Sequence, residues 1–582
     1  MANSASQFWS SVARSRLPLL DELVLYRPGV LSVDMTSQRL DEELKAIQQV
    51  FFLVKACRNA LAGPIMTVPP ELMSRIFFFA AAACPPKMRS TSTQKLGWIN
   101  VTHVCRRWRE IALGHSTLWN VIDYHELSRS WIEVMLKRSA TASLHVVLDL
   151  GVAPKYAEYC LTAAKTSRIR SLELRSSPPP YYCPWDEPLF DHTQDVLDVL
   201  SGPLPMPVLQ SLKVSQYEDV ILNLSPFIPY LPQLTRLSLN NCLIPLDSAF
   251  LPNLVYLRIH LLSRYPGLGP CQAELSAALS RMTRLQTLKI AHFLGSQLPE
   301  PCSQAIYLPS LTKLVICGVP SNWVDFVCSF HTSPDANIEL QTGPIKSGVR
   351  QAVLRQLLLH YGGPARRPRT LILKSSPKPS RTEEQVLLGL STATCDNTVD
   401  IAKPEVTLKI IESAPEGASS CSPTFGLLTG EPWQGLHLDT VEHVYIRTSV
   451  GDSKIKMTDW PPSQWLDMFL SARQVTFLRI ADQRTAVSMF EAMTPANGAD
   501  PLLFPNLERL STCDFKLDAD APGREPGVRL NELLETCLQG RNARGSHLRE
   551  LGIREDYHDD GGVERGWAVR LQSLVDELYF LE

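Results

Sequence analysis

The densest group of side chains with metal-binding chemistry lies near the C-terminal end of the sequence. His547 is followed by Asp556, His558, Asp559 and Asp560 within a short stretch, and imidazole and carboxylate groups are ordinary ligands of zinc. The same stretch runs into two glycines and also has the composition of a solvated acidic turn. We expect the turn rather than a metal site, and we expect no cofactor.

Cysteine chemistry is the second possibility that the residue types raise. The 14 cysteines are scattered and never form a Cys-x-x-Cys pair. Cys317 and Cys328 are nucleophile candidates in principle, but cysteines within Leu-rich segments are usually small core residues. The sequence contains no Gly-x-Ser-x-Gly, Walker-type, Gly-x-Gly-x-x-Gly or His-Glu-x-x-His pattern. We therefore expect a non-catalytic binding protein, and an enzyme is the less favoured alternative.

Charge and hydropathy exclude further classes. The net charge of the 582 residues is −2 and 45% of them are hydrophobic, which is typical of a globular protein and not of a polyanion binder. The sequence has no run of 18 apolar residues and no basic start followed by an apolar stretch. We expect a cytoplasmic and/or nuclear protein with reduced thiols, with no nucleic-acid and no membrane partner.

Residues 65–119 hold two short helical patterns. Pro69 and Pro70 favour the opening of a helix, because proline needs no N–H in the first turn. Glu71 follows where the helix dipole favours an acid, and Leu72 and Ile76 then recur at helical spacing.

A second periodic set of apolar positions follows, interleaved with arginines, and ends at a Leu-Trp pair; it comprises Val101, Val104, Cys105, Trp108, Ile111, Leu118 and Trp119. Two or three such short helices bury too little surface to be stable alone. A neighbouring domain or a partner is expected to complete them.

The two patterns together resemble the F-box. The matching residues are Val68, Pro69, Glu71, Leu72, Ile76, Phe77, Val104, Cys105, Arg106, Trp108, Arg109, Leu118 and Trp119. The resemblance covers about one tenth of the chain, and an ordinary helical hairpin is the alternative. Residues 80–97, between the two halves, are longer than in compact F-boxes and have a loop composition.

The F-box resemblance implies docking on a Skp-type adaptor, which joins a cullin scaffold. It assigns the adaptor surface to Pro69, Leu72, Ile76, Phe77, Val104, Trp108 and Trp119. Apolar residues of this kind also complete the core of the small unit, so surface and core both stay open for each of them.

A heptad pattern precedes this segment, with apolar residues at positions 40, 44, 47, 51, 54 and 61. It predicts a helix that pairs with a second chain or packs on its own neighbouring domain. Gly63 and Pro64 are expected to end it.

After Trp119 the unit Leu-x-x-Leu-x-[Leu/Ile/Val] recurs, with clear copies at 209–214, 234–239, 254–259, 285–290 and 311–316. An apolar-Pro-x-Leu sequence leads into several copies. Internal repeats of this kind resemble leucine-rich repeats, whose short parallel strands stack and point their leucines into a shared core. The resemblance predicts that Leu212, Leu237, Leu257, Leu288 and Leu314 form one buried column.

The predicted fold class is therefore α/β, with an N-terminal helical F-box followed by a leucine-rich-repeat solenoid of parallel strands. The expected segments are an uncertain 1–36, a heptad helix at 37–63, an F-box at 64–120 and an irregular repeat array at 121–582. The repeat pattern is weakest at 318–440, where one unbroken solenoid and two pieces both fit. A generic α/β domain is the alternative to the solenoid. The pairing of these segments looks like large F-box families of mushroom-forming fungi.

The residue between the two leucines of each strand points to the opposite face. Five of these nine positions are basic; in chain order they are Glu173, Lys213, Ser238, Arg258, Lys289, Val315, Lys409, Tyr445 and Arg479. Lys213, Arg258 and Lys289 are expected to form a positive stripe, widened by Arg236 and Lys313. The stripe is interpreted as a binding site for an acidic or phosphorylated protein segment, or else as a solvated polar face.

By resemblance, the sequence predicts a substrate-recognition subunit of an SCF-type (Skp, cullin, F-box) ubiquitin ligase. The F-box would dock the adaptor and the repeats would hold a protein substrate. The alternative is a scaffold of the same architecture that binds a partner without ubiquitin transfer.

Overall fold

The structure is a computed structural model of the 582-residue chain. It describes residues 5–16, 33–61, 64–87, 96–149, 161, 166–176, 206–216, 222–224, 231–261, 271–294, 305–320, 323–345, 350–361, 367–377, 383–391, 404, 406–413, 438–448, 461–494, 501–554 and 566–580.

The described α-helices are α1 Ala5–Arg16, α2 Val33–Leu61, α3 Pro70–Ala83, α4 Arg106–Gly114, α5 Arg129–Arg138, α6 Gln272–Ser280, α7 Val324–Cys328, α8 Arg350–Tyr361, α9 Pro462–Phe469, α10 Gln483–Met493, α11 Leu530–Asn542 and α12 Gly566–Gln572.

The described strands are β1 Val121–Asp123, β2 Leu144–Asp149, β3 Ile169–Arg175, β4 Ser211–Ser215, β5 Leu222–Asn223, β6 Arg236–Asn240, β7 Cys242–Leu243, β8 Tyr256–His260, β9 Thr287–Ala291, β10 Ile306–Leu308, β11 Lys313–Val319, β12 Phe330–Thr332, β13 Asn337–Ile345, β14 Thr370–Pro377, β15 Glu383–Ser391, β16 Val406–Ser413, β17 His443–Thr448, β18 Phe477–Ile480, β19 Arg509–Cys513, β20 Leu548–Arg554 and β21 Val575–Phe580.

The chain divides into two compact units. The first is helical and comprises Met1–Asn120 and Glu126–Ala140, and the second comprises Val121–His125 and Thr141–Glu582. In the helical unit, α3 starts at the expected place, with Pro69 as its N-cap and Glu71 in its first turn. Proline fixes a φ angle that suits this first turn, so the local sequence positions the helix.

Aromatic side chains form the core of the helical unit. The rings of Phe77 on α3 and Trp108 on α4 lie 5.4 Å apart, and those of Trp98 and Trp119 lie 4.8 Å apart. Phe77, Trp98 and Trp119 are buried, and the indole N–H of Trp119 donates to the carbonyl of Ala112 at 2.8 Å. These contacts hold α3, α4 and the 3-10 helices Gly97–His103 and Ser116–Trp119 together.

The second unit is a mixed α/β structure built on a 17-stranded, mostly parallel sheet. The strand pairings give the spatial order β1, β2, β3, β4, β6, β8, β9, β11, β13, β16, β15, β14, β17, β18, β19, β20, β21.

The strand order departs from the sequential one expected of a regular repeat array in the stretch where the repeat pattern is weakest. There β13 pairs with β16, and β14 pairs with β17, so that β15 runs antiparallel between β14 and β16. The prediction of uniformly parallel strands is therefore wrong for β15. The described strands of this stretch are nevertheless each paired with their neighbours, in the order β11, β13, β16, β15, β14, β17.

Leucine columns run across the sheet on one face. Leu212, Leu237, Leu257, Leu288 and Leu314 occupy neighbouring register positions, and all five are buried. This confirms the predicted column. A second column lies two residues further along the strands and includes Val214, Leu239, Ile259, Ile290 and Ile316.

The apolar-Pro-x-Leu sequences form tight turns at the strand entrances. The backbone N–H of Leu234, Leu254 and Leu311 donates in each case to the carbonyl three residues earlier, at 3.3, 3.1 and 3.1 Å. Proline suits the second position of such a turn because its φ angle is already set. The turns fix where each strand begins and therefore keep the leucine columns in register.

Candidate binding surfaces

A stripe of exposed apolar side chains runs along α3 of the helical unit. Leu72, Ile76 and Phe79 are 50%, 48% and 65% exposed, and their spacing of four and three residues places them on one face of the helix. Pro69, at the start of α3, is exposed, and Val104, just before α4, is 57% exposed. We call Leu72, Ile76 and Phe79 the α3 stripe. Phe79 was not among the predicted surface residues, although its helical spacing pointed to it.

Phe77 and Trp119 are corrected from surface to core. Their exposed fractions are 1% and 0%, so neither side chain is available to a partner. Phe77 lies on the opposite side of α3 from the stripe, against Trp108. The guanidinium of Arg138 lies 4.3 Å from the Trp119 ring centroid and covers it further. Trp108 is half-buried, with its ring against that of Phe77.

Two side-chain contacts position α4 beside α3. Cys105 is the N-cap of α4, and its Sγ accepts the backbone N–H of Trp108 at 3.5 Å. Arg107 donates to the carbonyl of Val68 at 2.7 Å, directly before Pro69. Cys105 of the motif therefore caps α4 and Trp108 packs on Phe77, while Arg107, at the variable position between Arg106 and Trp108, links the two halves.

The predicted heptad helix is present as α2. Leu44, Ile47, Phe51 and Val54 of its seam are all about half exposed or more. No helix in the described part of the chain is both long and apolar enough to cross a membrane.

The opposite, polar face of the sheet carries the predicted basic positions. Across β3, β4, β6, β8, β9 and β11, one row joins Glu173, Lys213, Ser238, Arg258, Lys289 and Val315 in direct register. Arg236 and Lys313 lie in the adjacent row, two residues earlier on their strands. The structure therefore brings all five predicted basic residues onto one face.

The five cations have different surroundings. Lys213 pairs with Glu173 at 2.8 Å. The guanidinium of Arg236 and the ammonium of Lys289 lie 5.1 and 5.8 Å from the ring centroid of Tyr256. Arg258 is exposed and makes no ion pair with a carboxylate in the described part of the chain. Lys313 likewise makes no ion pair with a carboxylate among the described residues, so Arg258 and Lys313 are the cations of this face beside which neither a carboxylate nor an aromatic ring is found there.

His260 is the last residue of β8, two residues after Arg258. Burial lowers its pKa, and the neighbouring His292 and Arg258 lower it further. Its imidazole Nδ1 lies 2.6 Å from the amide oxygen of Asn240. The lowered pKa keeps His260 neutral near physiological pH, so this side chain adds no sixth charge.

The three remaining positions of the predicted polar face, Lys409, Tyr445 and Arg479, lie in the second half of the sheet. Thr407 occupies the row beside Glu339, and Lys409 pairs one row further along with Gln341. Tyr445 and Arg479 do lie in the row, but both are buried, and Tyr445 belongs to an apolar cluster with Ile372 and Phe477. Among the described residues, the predicted cations that share one face lie on the strands from β4 to β11.

Cys328 and His547 are two residues with candidate nucleophile or metal chemistry whose surroundings the structure describes. Burial raises the pKa of the Cys328 thiol to about 12, with Asp325 adding to the rise, so this thiol stays protonated. His547 lies 2.9 Å from the carboxylate of Asp576, and the rest of the predicted His/Asp cluster lies outside the described residues. Within the described ranges no group of three or more candidate ligands could hold a metal ion.

Comparison with models of known protein families and with curated protein sequences finds no match for this chain. Within the described residues the chain is a two-unit protein, with exposed apolar rows on α2 and α3 of the helical unit and a basic row on the sheet unit.

Proposed function

We propose that this chain is the substrate-recognition subunit of an SCF-type ubiquitin ligase. In this proposal the helical unit is an F-box that docks a Skp-type adaptor, and the sheet unit is an irregular leucine-rich-repeat solenoid that holds a protein substrate. The chain performs no chemistry itself. It raises the effective concentration of substrate lysines near a ubiquitin-charged enzyme carried by the cullin.

The observation that carries the proposal is the α3 stripe. Phe77 and Trp119 are buried in the core of the helical unit, whereas Leu72, Ile76 and Phe79 are about half exposed or more. The stripe therefore is not needed for packing within the described part of the unit. Leu72, Ile76 and Val104, exposed in the structure, belong to the set that the F-box resemblance assigns to adaptor docking, so composition and exposure support the same surface.

The test replaces Leu72 and Ile76 with Glu and measures capture of a Skp-type adaptor by the full chain. Both side chains are half exposed, so the double variant is expected to stay folded. Burying two carboxylates at an apolar contact costs on the order of several kcal/mol, and we expect adaptor capture to be lost.

A matched control carries the same two charges at exposed apolar sites of other helices. Leu359 on α8 and Val569 on α12 are 51% and 67% exposed, and the variant Leu359→Glu/Val569→Glu should capture adaptor like wild type. Undiminished capture by folded Leu72→Glu/Ile76→Glu would contradict adaptor docking through this stripe. Cullin recovered together with the adaptor supports a ligase, whereas adaptor without cullin supports a scaffold.

A further inference from the structure

The polar face between β4 and β11 is a block of positive charge with no carboxylate on its own strands. Three rows of five residues make it up, namely Ser211, Arg236, Tyr256, Thr287 and Lys313; Lys213, Ser238, Arg258, Lys289 and Val315; and Ser215, Asn240, His260, Ala291 and Cys317. Five of the fifteen are Lys or Arg and none is Asp or Glu. In a chain with a net charge of −2 this segregation is local, and we call these fifteen positions the basic face.

Carboxylates bound the basic face on both sides. Glu173 precedes Lys213 in the central row, and Glu339 follows Val315 in the same row. Neighbouring strands lie about 4.8 Å apart, so the five strands between these glutamates span about 19 Å. A long, uniformly charged polyanion such as RNA would run over both glutamates. A short anionic segment fits between them.

The centre of the basic face combines cations, hydroxyls and one aromatic ring. Arg258 and Lys289 are direct neighbours in register, with Ser238 on the other side of Arg258. Thr287 precedes Lys289 by two residues and so projects on the same face. Tyr256 lies beside Thr287 and is flanked by Arg236 and Lys289. Paired cations with hydroxyl donors beside them are the groups that bind a phosphate dianion.

We propose that the basic face binds a phosphorylated, acidic peptide segment, with its phosphate group held between Arg258 and Lys289. If the chain is a ligase subunit, this peptide segment belongs to its substrate. Only that identification of the peptide as a substrate rests on the proposed function. Ser238 and Thr287 supply hydroxyl donors to the phosphate. Arg236 and Lys313 attract acidic residues on either side of it, and Lys213 contributes less because Glu173 already neutralises it.

The test uses the full-length chain and two immobilised degenerate peptide libraries that differ only at a fixed central residue, phosphoserine or serine, with glutamates at the flanking positions. The wild-type chain is expected to bind the phosphoserine library selectively. Arg258→Gln/Lys289→Gln should bind it at least about tenfold more weakly, because both charged donors to the phosphate are replaced by neutral amides.

The control variant removes two cations that lie in equivalent turns outside the basic face. Arg284 and Arg473 are exposed and lie just before β9 and β18, so Arg284→Gln/Arg473→Gln changes the net charge by about the same amount. This variant is expected to bind the phosphoserine library like wild type. Equal binding of the two libraries, no binding, or an equal loss in both double variants would overturn the proposal, as would tighter binding of a short single-stranded RNA probe.

The two surfaces are tested separately by exchanging the assays. Leu72→Glu/Ile76→Glu should retain binding to the phosphoserine library, and Arg258→Gln/Lys289→Gln should retain adaptor capture. Failure of the wild-type chain to capture adaptor would overturn the ligase proposal and leave the phosphopeptide result standing on its own measurement.

Discussion

Adjacent apolar residues on α3 have opposite roles. Ile76 is half exposed, whereas Phe77 is fully buried against Trp108. A helix turns by about 100° per residue, so neighbours in sequence face different directions. A motif that contains Leu, Ile and Phe within six residues therefore supplies a core and a surface at once.

This division predicts unequal effects of truncation at Phe77 and Leu72. Phe77→Ala removes a fully buried ring and should destabilise the helical unit by about 3–5 kcal/mol. Leu72→Ala changes an exposed side chain and should cost less than about 1 kcal/mol. Hydrogen exchange of the backbone amides in α3 and α4 measures both effects locally, independently of the second unit. Similar exchange in the two variants would contradict the assignment of Phe77 to the core.

The parallel strands of the sheet share a common register. The tight turns at the strand entrances start each strand at an equivalent residue, so leucines from segments far apart in sequence become direct neighbours. A shift by one residue would carry the leucines to the polar face and the cations to the core. The same register thus builds the leucine column and the basic face.

At the element scale, Leu257→Ala tests this column. Leu257 is buried between Leu237 and Leu288, and its truncation should cost about 2–5 kcal/mol, as other core leucines do. Hydrogen exchange should accelerate in β6, β8 and β9. Ser238→Ala, on the polar face of β6, is the control and should change stability by no more than about 0.5 kcal/mol. Unchanged protection of these three strands in the leucine variant would argue against a shared column.

The strands were predictable where a local pattern determined them. Leu-x-x-Leu-x-Leu implies alternation on a strand, and the residue between the leucines then has to face the other side. Two features had no such local signal. Strand β15 runs antiparallel because of its pairing with β14 and β16, which its own residues do not encode. Tyr445 and Arg479 are buried although their strand positions match that of Arg258, because burial depends on what covers the face.

The candidate surfaces were predictable to a similar extent. Helical spacing identified Leu72 and Ile76, and strand spacing identified Lys213, Arg258 and Lys289. Spacing did not separate Phe77 and Trp119 from the surface, because an apolar residue has the same pattern in a core and at an interface. It also gave no reason to rank Arg258 above Lys213, since the ion pair with Glu173 depends on the register between β3 and β4.

The two surfaces to which the proposals assign partners lie on different units, and only one of them is charged. The α3 stripe lies in the helical unit, and the basic face lies in the sheet unit. The net charge of −2 is too small to produce a strong overall field. The salt dependence of binding should therefore be determined by the charges of the local surface that contacts the partner.

This gives the last prediction, which concerns salt. Screening shortens the reach of exposed charges from about 10 Å at 0.1 M to about 3 Å at 1 M ionic strength. Binding of the phosphoserine library to the basic face should weaken steadily across this range, because Arg258 and Lys289 act through charge. Adaptor capture through the α3 stripe should change little, since burial of apolar area involves no net charge.

The measurement titrates one salt in both assays with the same protein preparation. The variant Arg258→Gln/Lys289→Gln serves as the internal control, because its residual peptide binding should have a shallower salt dependence than that of wild type. Two parallel salt curves in the wild-type chain would mean that both partners bind through the same kind of contact. That result would contradict the division of roles between the stripe and the basic face, since only one of the two surfaces carries clustered charge.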